Sequence, residues 1–98
     1  MRGGVFLPMD GVQSEADREV REWLADGDNE TTDFITSYYF DAGTTSVELN
    51  GLEQFRGIDY TEELYDTKYR VIKFAVPPRA TAEMIDKINI VYTKSRLQ

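Results

Sequence analysis

Carboxylates are the reactive side chains this sequence holds in quantity: eighteen Asp and Glu against eleven Lys and Arg, with no histidine and no cysteine. That inventory removes thiol nucleophiles, thiolate zinc sites, disulfides, His-dependent triads and the imidazole proton shuttle. It leaves a carboxylate pair of the kind that hydrolyses glycosides. Glu62 and Glu63 are adjacent, but on the acidic turn expected over residues 62–68 their side chains diverge into water. The run Asp-Gly-Asp-Asn-Glu at residues 26–30 clusters oxygen ligands near a glycine. It lacks the spacing of the twelve-residue calcium loop, whose glycine is sixth and whose bidentate glutamate is last. Neither a phosphate loop nor a serine elbow is present. The expectation is a protein that is not an enzyme and carries no metal and no cofactor.

Aromatic side chains are the other group with binding chemistry, six tyrosines and one tryptophan. Trp23 recurs with Ala16, Val20 and Leu24 at i, i+4, i+7 and i+8, which predicts an apolar stripe on a helix over residues 14–27. Ser14 would cap it, Glu15 and Asp17 suit its first turn, and Gly27 would end it. Trp23 then anchors the helix to the core, or serves as an interface aromatic. Residues 1–13 form an extended arm, broken by glycines and Pro8 yet carrying Val5, Phe6, Leu7 and Met9. A solvated tail would not need those side chains. The arm packs on its own domain or docks on a neighbouring subunit.

From Asp33 the pattern changes to period two, the signature of strands with one wet face. Phe34, Thr36, Tyr38 and Phe40 line one side of a first strand, and a turn at residues 41–45 leads to a second over residues 46–49. Asn50-Gly51 is the dipeptide that most readily takes the positive φ angles of a two-residue hairpin loop. Such a loop pairs Leu49 with Leu52 and Glu48 with Glu53, so the two glutamates belong on the solvent face or at a bulge. Residues 52–55 return, residues 58–61 are a short extended piece, and residues 69–78 form the central strand. There Arg70, Ile72, Phe74 and Val76 share one side, Tyr69, Val71, Lys73 and Ala75 the other, until Pro77 and Pro78 stop the ladder. A crossing with room for one helical turn leads to a last strand over residues 88–93, with Ile88, Ile90 and Tyr92 facing inward. A basic tail, residues 95–98, follows. The fold class expected is mainly β: a single antiparallel β-sandwich of about six strands over residues 33–94, preceded by the arm and one amphipathic α-helix.

Ninety-eight residues make one domain, burying roughly 65% of the unfolded surface. No apolar run approaches the ~20 residues of a membrane helix and no signal-peptide pattern opens the chain, so a soluble protein made in the cytoplasm and without a membrane partner is expected. The net charge of −7 is segregated: −5 over residues 1–31, −7 over 32–66 and +5 over 67–98. The overall sign argues against direct nucleic-acid binding. The segregation suits contacts between acidic and basic faces of neighbouring copies, or is simply an uneven solvated surface.

Taken in order, a tyrosine-rich strand, Val-Glu-Leu-Asn-Gly at residues 47–51, Gly-Ile-Asp-Tyr at 57–60, Val-Ile-Lys-Phe-Ala-Val-Pro-Pro at 71–78 and Ile-Asp-Lys-Ile-Asn-Ile-Val-Tyr-Thr at 85–93 resemble a small β-sandwich module of tailed-bacteriophage structural proteins, found in tail fibres and virion appendages. The likeness covers about residues 34–94. It departs at residues 79–87, which are longer and lack the usual glycine. On this resemblance Asn50, Gly51, Asp59, Tyr60, Pro77, Pro78 and Tyr92 define turns and the ends of the sandwich. It implies a virion structural protein, made in a bacterial host: a capsid decoration or cement subunit, or a small tail or neck component. Its partners would be major capsid or tail subunits, in a homo-oligomer or symmetric array. The resemblance identifies no contact residue; the arm, the helix and the C-terminal end, read from their own side chains, supply Val5, Phe6, Leu7, Met9, Trp23, Lys94 and Arg96 as contact residues. The alternatives are a glycan- or receptor-binding module of a tail fibre, using exposed tyrosines, and an acidic inhibitor of a host nuclease.

Overall fold

In the computed structural model, which describes residues 18–98, every regular element is a strand. The strands are β1 (Glu19–Asp26), β2 (Asp33–Ile35), β3 (Ser46–Leu49), β4 (Leu52–Gln54), β5 (Tyr60–Tyr65), β6 (Lys68–Phe74) and β7 (Lys87–Thr93). They form two antiparallel sheets, a four-stranded one ordered β1-β7-β3-β4 and a three-stranded one ordered β2-β6-β5. The arm of residues 1–13 and the Ser14 cap lie outside the described residues.

The inner faces of both sheets share one core. Val47, Ile88, Ile90 and Tyr92 come from the first sheet, Tyr60, Ile72 and Phe74 from the second, and Phe40 closes one end. Phe74 meets Phe34 edge-on at 5.7 Å between ring centres, and Phe40 packs against Tyr69 and Tyr92 at 6.2 and 5.8 Å. Such ring pairs add roughly 0.5–1.5 kcal/mol each beyond the area they bury.

The expected helix over residues 14–27 is overturned: its described part is the edge strand β1, paired with β7 from Glu19↔Thr93 to Asp26↔Lys87. Spacing of i, i+4, i+7 and i+8 fits both readings here, because Val20 and Leu24 also share a face in an extended strand. Seven residue pairings to β7 outweigh a helix propensity that is small per residue. A bulge between Trp23 and Ala25 shifts the register, so Val20, Leu24 and Ala25 all pack on the core while Trp23 turns outward. The assignment of Trp23 as core anchor fails with the helix, since the ring is 58% exposed.

Further expectations change. The first strand stops at Ile35, and Tyr38, expected on one face with Phe34 and Phe40, is exposed. Residues 62–65 are not turn but the greater part of β5, and the reversal is confined to Asp66 and Thr67, with Asp66 at φ 68°. A register shift in the β5–β6 pair lets Tyr69 join Ile72 and Phe74 on the core side. Val76 lies past the end of β6 and is exposed. Residues 79–86 hold no helical turn. Ala80 bridges Ile85, with Thr81 and Met84 hydrogen-bonded between them.

Asn50 and Gly51 take φ of 54° and 83° and set the register Leu49↔Leu52 and Glu48↔Glu53, with both glutamates exposed. Gly27 is required for another reason. A Cβ there would lie 2.5 Å from the Arg79 carbonyl oxygen, so only glycine lets residues 78–79 pass this close to the end of β1.

Candidate functional site

The strand ends define two poles. At the first, β1 begins and β7 ends; at the second, β1 ends, β7 begins and the β3–β4 hairpin turns. They are about 25 Å apart, given a rise near 3.3 Å per residue along β1.

At the first pole Arg18, buried, donates to the Asp41 carboxylate and the Lys94 carbonyl at 3.0 and 3.1 Å, tying the start of β1 to the end of β7. Around it stands a group of cations over aromatic rings. The Lys68 ammonium lies 5.0 Å and the Arg70 guanidinium 5.1 Å from the Tyr39 ring centre, Arg70 is 5.8 Å from Tyr65, and the Lys94 ammonium is 4.2 Å from Tyr38. Arg70 is held in place by donating to the Thr36 and Ser37 carbonyls. Tyr38 and Tyr65 are exposed. The described ion pairs are Arg18–Asp41, Arg21–Glu19 and Lys87–Asp26, so Lys68, Arg70 and Lys94 have no carboxylate partner among the described residues. Gln98 bonds both backbone groups of Tyr39, which lays the C-terminal residues, with Arg96 exposed, along this pole.

At the second pole a cleft of about 360 Å³ runs between the β3–β4 hairpin and the crossing, lined by Leu49, Leu52, Gln54, Arg79 and Met84. It adjoins a second hollow that includes Val76 and Pro77. The walls are rigid. Asn50 donates to Asp86 at 2.8 Å and accepts from the Lys87 N–H at 2.9 Å; Asp86 also accepts from the Arg79 N–H; Asn29 brackets Ala80 through both its amide nitrogen and oxygen. Asp28 closes its own loop, accepting from the N–H groups of Glu30 and Thr31 and from the Thr31 hydroxyl. Those bonds, led by the Thr31 hydroxyl, hold its carboxyl below the usual range. The carboxylate run at residues 26–30 is thus a self-satisfied turn, and no group of potential metal ligands occurs among the described residues.

The outer face of the first sheet is a third surface, where Trp23 stands opposite Asn89, beside Glu48 and Glu53.

Of the sequence-nominated contact residues, Trp23 sits on this sheet face, Lys94 and Arg96 at the first pole, and Val5, Phe6, Leu7 and Met9 outside the described residues. Tyr60 is buried, its hydroxyl 3.0 Å from the Thr45 hydroxyl and 3.1 Å from the Thr45 carbonyl. Asp59 accepts from the Phe55 N–H at 2.8 Å. Pro78 is fully buried and Pro77 borders the second hollow.

Two carboxylates are structural: Glu62, expected to point into water from a turn, and Glu22. Glu62 accepts from the Gly43 N–H at 2.7 Å and from the Thr45 hydroxyl at 2.6 Å, fastening β5 to the turn before β3. Glu22 occupies an inward position of β1, where it accepts from the Tyr92 hydroxyl and from the Ser37 hydroxyl and N–H. Burial, followed by the bond to Glu22 and its charge, raises the Tyr92 phenol well above its ordinary range. The available signal was the alternation Val20, Glu22, Leu24, which the glutamate disguised.

Comparison with protein-family models, with curated proteins and with solved structures gave no match.

Proposed function

We propose that this protein is a non-enzymatic structural subunit of a bacteriophage virion, a capsid decoration or cement protein or a small tail or neck component, acting as a rigid β-sandwich body that binds other virion subunits. One observation carries the interaction role. Among the described residues twelve large hydrophobic side chains are exposed against nine hydrophobic residues in the buried core. The exposed ones include Trp23 on a sheet face, Tyr38 and Tyr65 at one pole, and Leu52, Val76 and Met84 at the other. Grouped exposure of this kind marks contact surfaces, whereas single exposed residues do not. Two of the carboxylates, Glu22 and Glu62, are engaged in fastening strands to neighbouring turns. The bacteriophage assignment rests on the sequence resemblance over residues 34–94.

The test is the copy number of this chain in purified particles from its source, by quantitative mass spectrometry against the major shell protein. A simple ratio set by shell symmetry supports decoration and a few copies per particle support a tail or neck component; absence from particles rejects the proposal. In a particle-binding assay Trp23→Ala should weaken association with little loss of stability.

A second reading, glycan binding, is favoured by Tyr38 and Tyr65 beside Lys94 and Arg70. Titration with a panel of neutral and acidic oligosaccharides should then shift tyrosine resonances, and a flat response across the panel excludes it.

A further inference from the structure

We infer that the two poles bind one another between copies, so that the protein associates head to tail with itself. This rests on the subunit reading above and gives it a partner, a second copy of this chain, and a polarity.

The argument is complementarity of charge and shape. Lys68, Arg70 and Lys94 at the first pole have no carboxylate partner among the described residues. At the second pole Asp28, Glu30 and Glu83 are exposed and make no ion pair among the described residues. All three neighbour the crossing: Asp28 and Glu30 flank Asn29, which holds Ala80, and Glu83 precedes Met84, which lines the cleft. Arg79 also lines the cleft and Asp66 adjoins Lys68, but Asp28, Glu30 and Glu83 outnumber the one unpaired cation at the second pole and Lys68, Arg70 and Lys94 outnumber the one unpaired side-chain carboxylate at the first among the described residues, which gives the chain a dipole along its strands. Stacking copies in line satisfies both ends, whereas a two-fold contact would set like against like.

The apolar groups match the same way. Tyr38 and Tyr65 stand proud on the basic pole, while the acidic pole offers a hollow floored by Leu49 and edged by Leu52 and Met84. Both sides are pre-ordered, Arg70 by two carbonyls and the cleft by Asn50, Asp86 and Asn29. Little conformational freedom is therefore lost on contact. The contact is heterologous, each copy using a different patch, so it grows into a ring or a filament and does not stop at a dimer.

The experiment uses the full chain in sedimentation velocity, from micromolar to about 1 mM, at low and high salt. Wild type should associate with increasing concentration, and about 1 M salt, where screening shortens to ~3 Å, should reverse it. A basic-pole variant, Lys68→Glu with Lys94→Glu, and a cleft variant, Leu52→Asp with Glu83→Lys, should each be folded by circular dichroism and associate at least roughly tenfold more weakly. Mixed, the two retain one intact pair of faces and should form a one-to-one dimer that grows no further. A wild-type chain that stays monomeric throughout overturns the inference, whether another subunit or a glycan occupies these poles. So does a mixture that forms no dimer, or a variant that assembles as wild type does. A monomeric chain still found in particles would leave the subunit reading intact.

Discussion

Replacing Glu22 by alanine tests whether β1 is seated as described. The carboxylate accepts from the hydroxyl of Tyr92, whose residue is 1% exposed, and from the Ser37 hydroxyl and N–H at 2.6 and 3.1 Å. Ser37 is exposed and recovers its bonds from water, which makes that part of the loss small. The Tyr92 hydroxyl also meets the Tyr38 backbone and the Thr36 side chain, yet it loses the acceptor of its own proton, and an under-satisfied buried hydroxyl costs about 1–3 kcal/mol. The expected total is about 2–3 kcal/mol, and for a domain of this size each kcal/mol lowers Tm by roughly 4–8 °C. Urea unfolding followed by tryptophan fluorescence reads this directly, because Trp23 adjoins Glu22 on the same strand. The control is Glu19→Ala, which removes an exposed pair with Arg21 worth at most about 0.5 kcal/mol. A cycle with Tyr92→Phe should return a coupling of about 1 kcal/mol or more. Equal losses at Glu19 and Glu22, with additive effects of Glu22→Ala and Tyr92→Phe, would refute this account of how β1 is seated.

The other predictions are shorter. The Tyr92 phenol is raised above its ordinary value of 10.0 in the folded state, so below that pH both states are protonated and its contribution is complete; above it only the unfolded chain ionises, and stability should fall. Tyr92→Phe should flatten that alkaline decline in urea melts taken from pH 8 to 11. Asp28 carries the opposite sign: its carboxyl is lowered from 3.8 in the folded state, so its contribution is present above about pH 4 and is lost as the pH falls toward its folded value, and the acid limb of the stability profile should be shallower in Asp28→Asn. Gly51→Ala meets no neighbouring atom within 4 Å and should cost only the backbone strain of φ 83°, about 1 kcal/mol. Gly27→Ala should cost more, about 2–4 kcal/mol by calorimetry, because its Cβ would push on the Arg79 carbonyl and open the second pole.

Several features were legible in the chain because their causes are local. Asn50-Gly51 specifies a two-residue turn, which dictates the pairing of Leu49 with Leu52. Alternation in Ile88, Ile90 and Tyr92, and in Ile72 and Phe74, marks the buried faces whatever the partner strand, and all five are buried. The absence of histidine and cysteine restricts the chemistry before any fold is known.

Tertiary structure decided what depends on a partner distant in sequence. Residues 19–26 carry a pattern that both a helix and a strand can use, and only the free edge of β7 selects the strand. Glu22 reads as polar surface until Tyr92, seventy residues away, supplies a hydroxyl to satisfy it. The gathering of Tyr38, Tyr65, Lys68 and Lys94 at one pole and of Leu52, Glu30 and Glu83 at the other is invisible in linear order, since each pole draws on separate loops. Local periodicity identifies which residues want burial or a turn, but the long-range strand pairing, by deciding which edges meet, determines where the remaining side chains are left to face a partner.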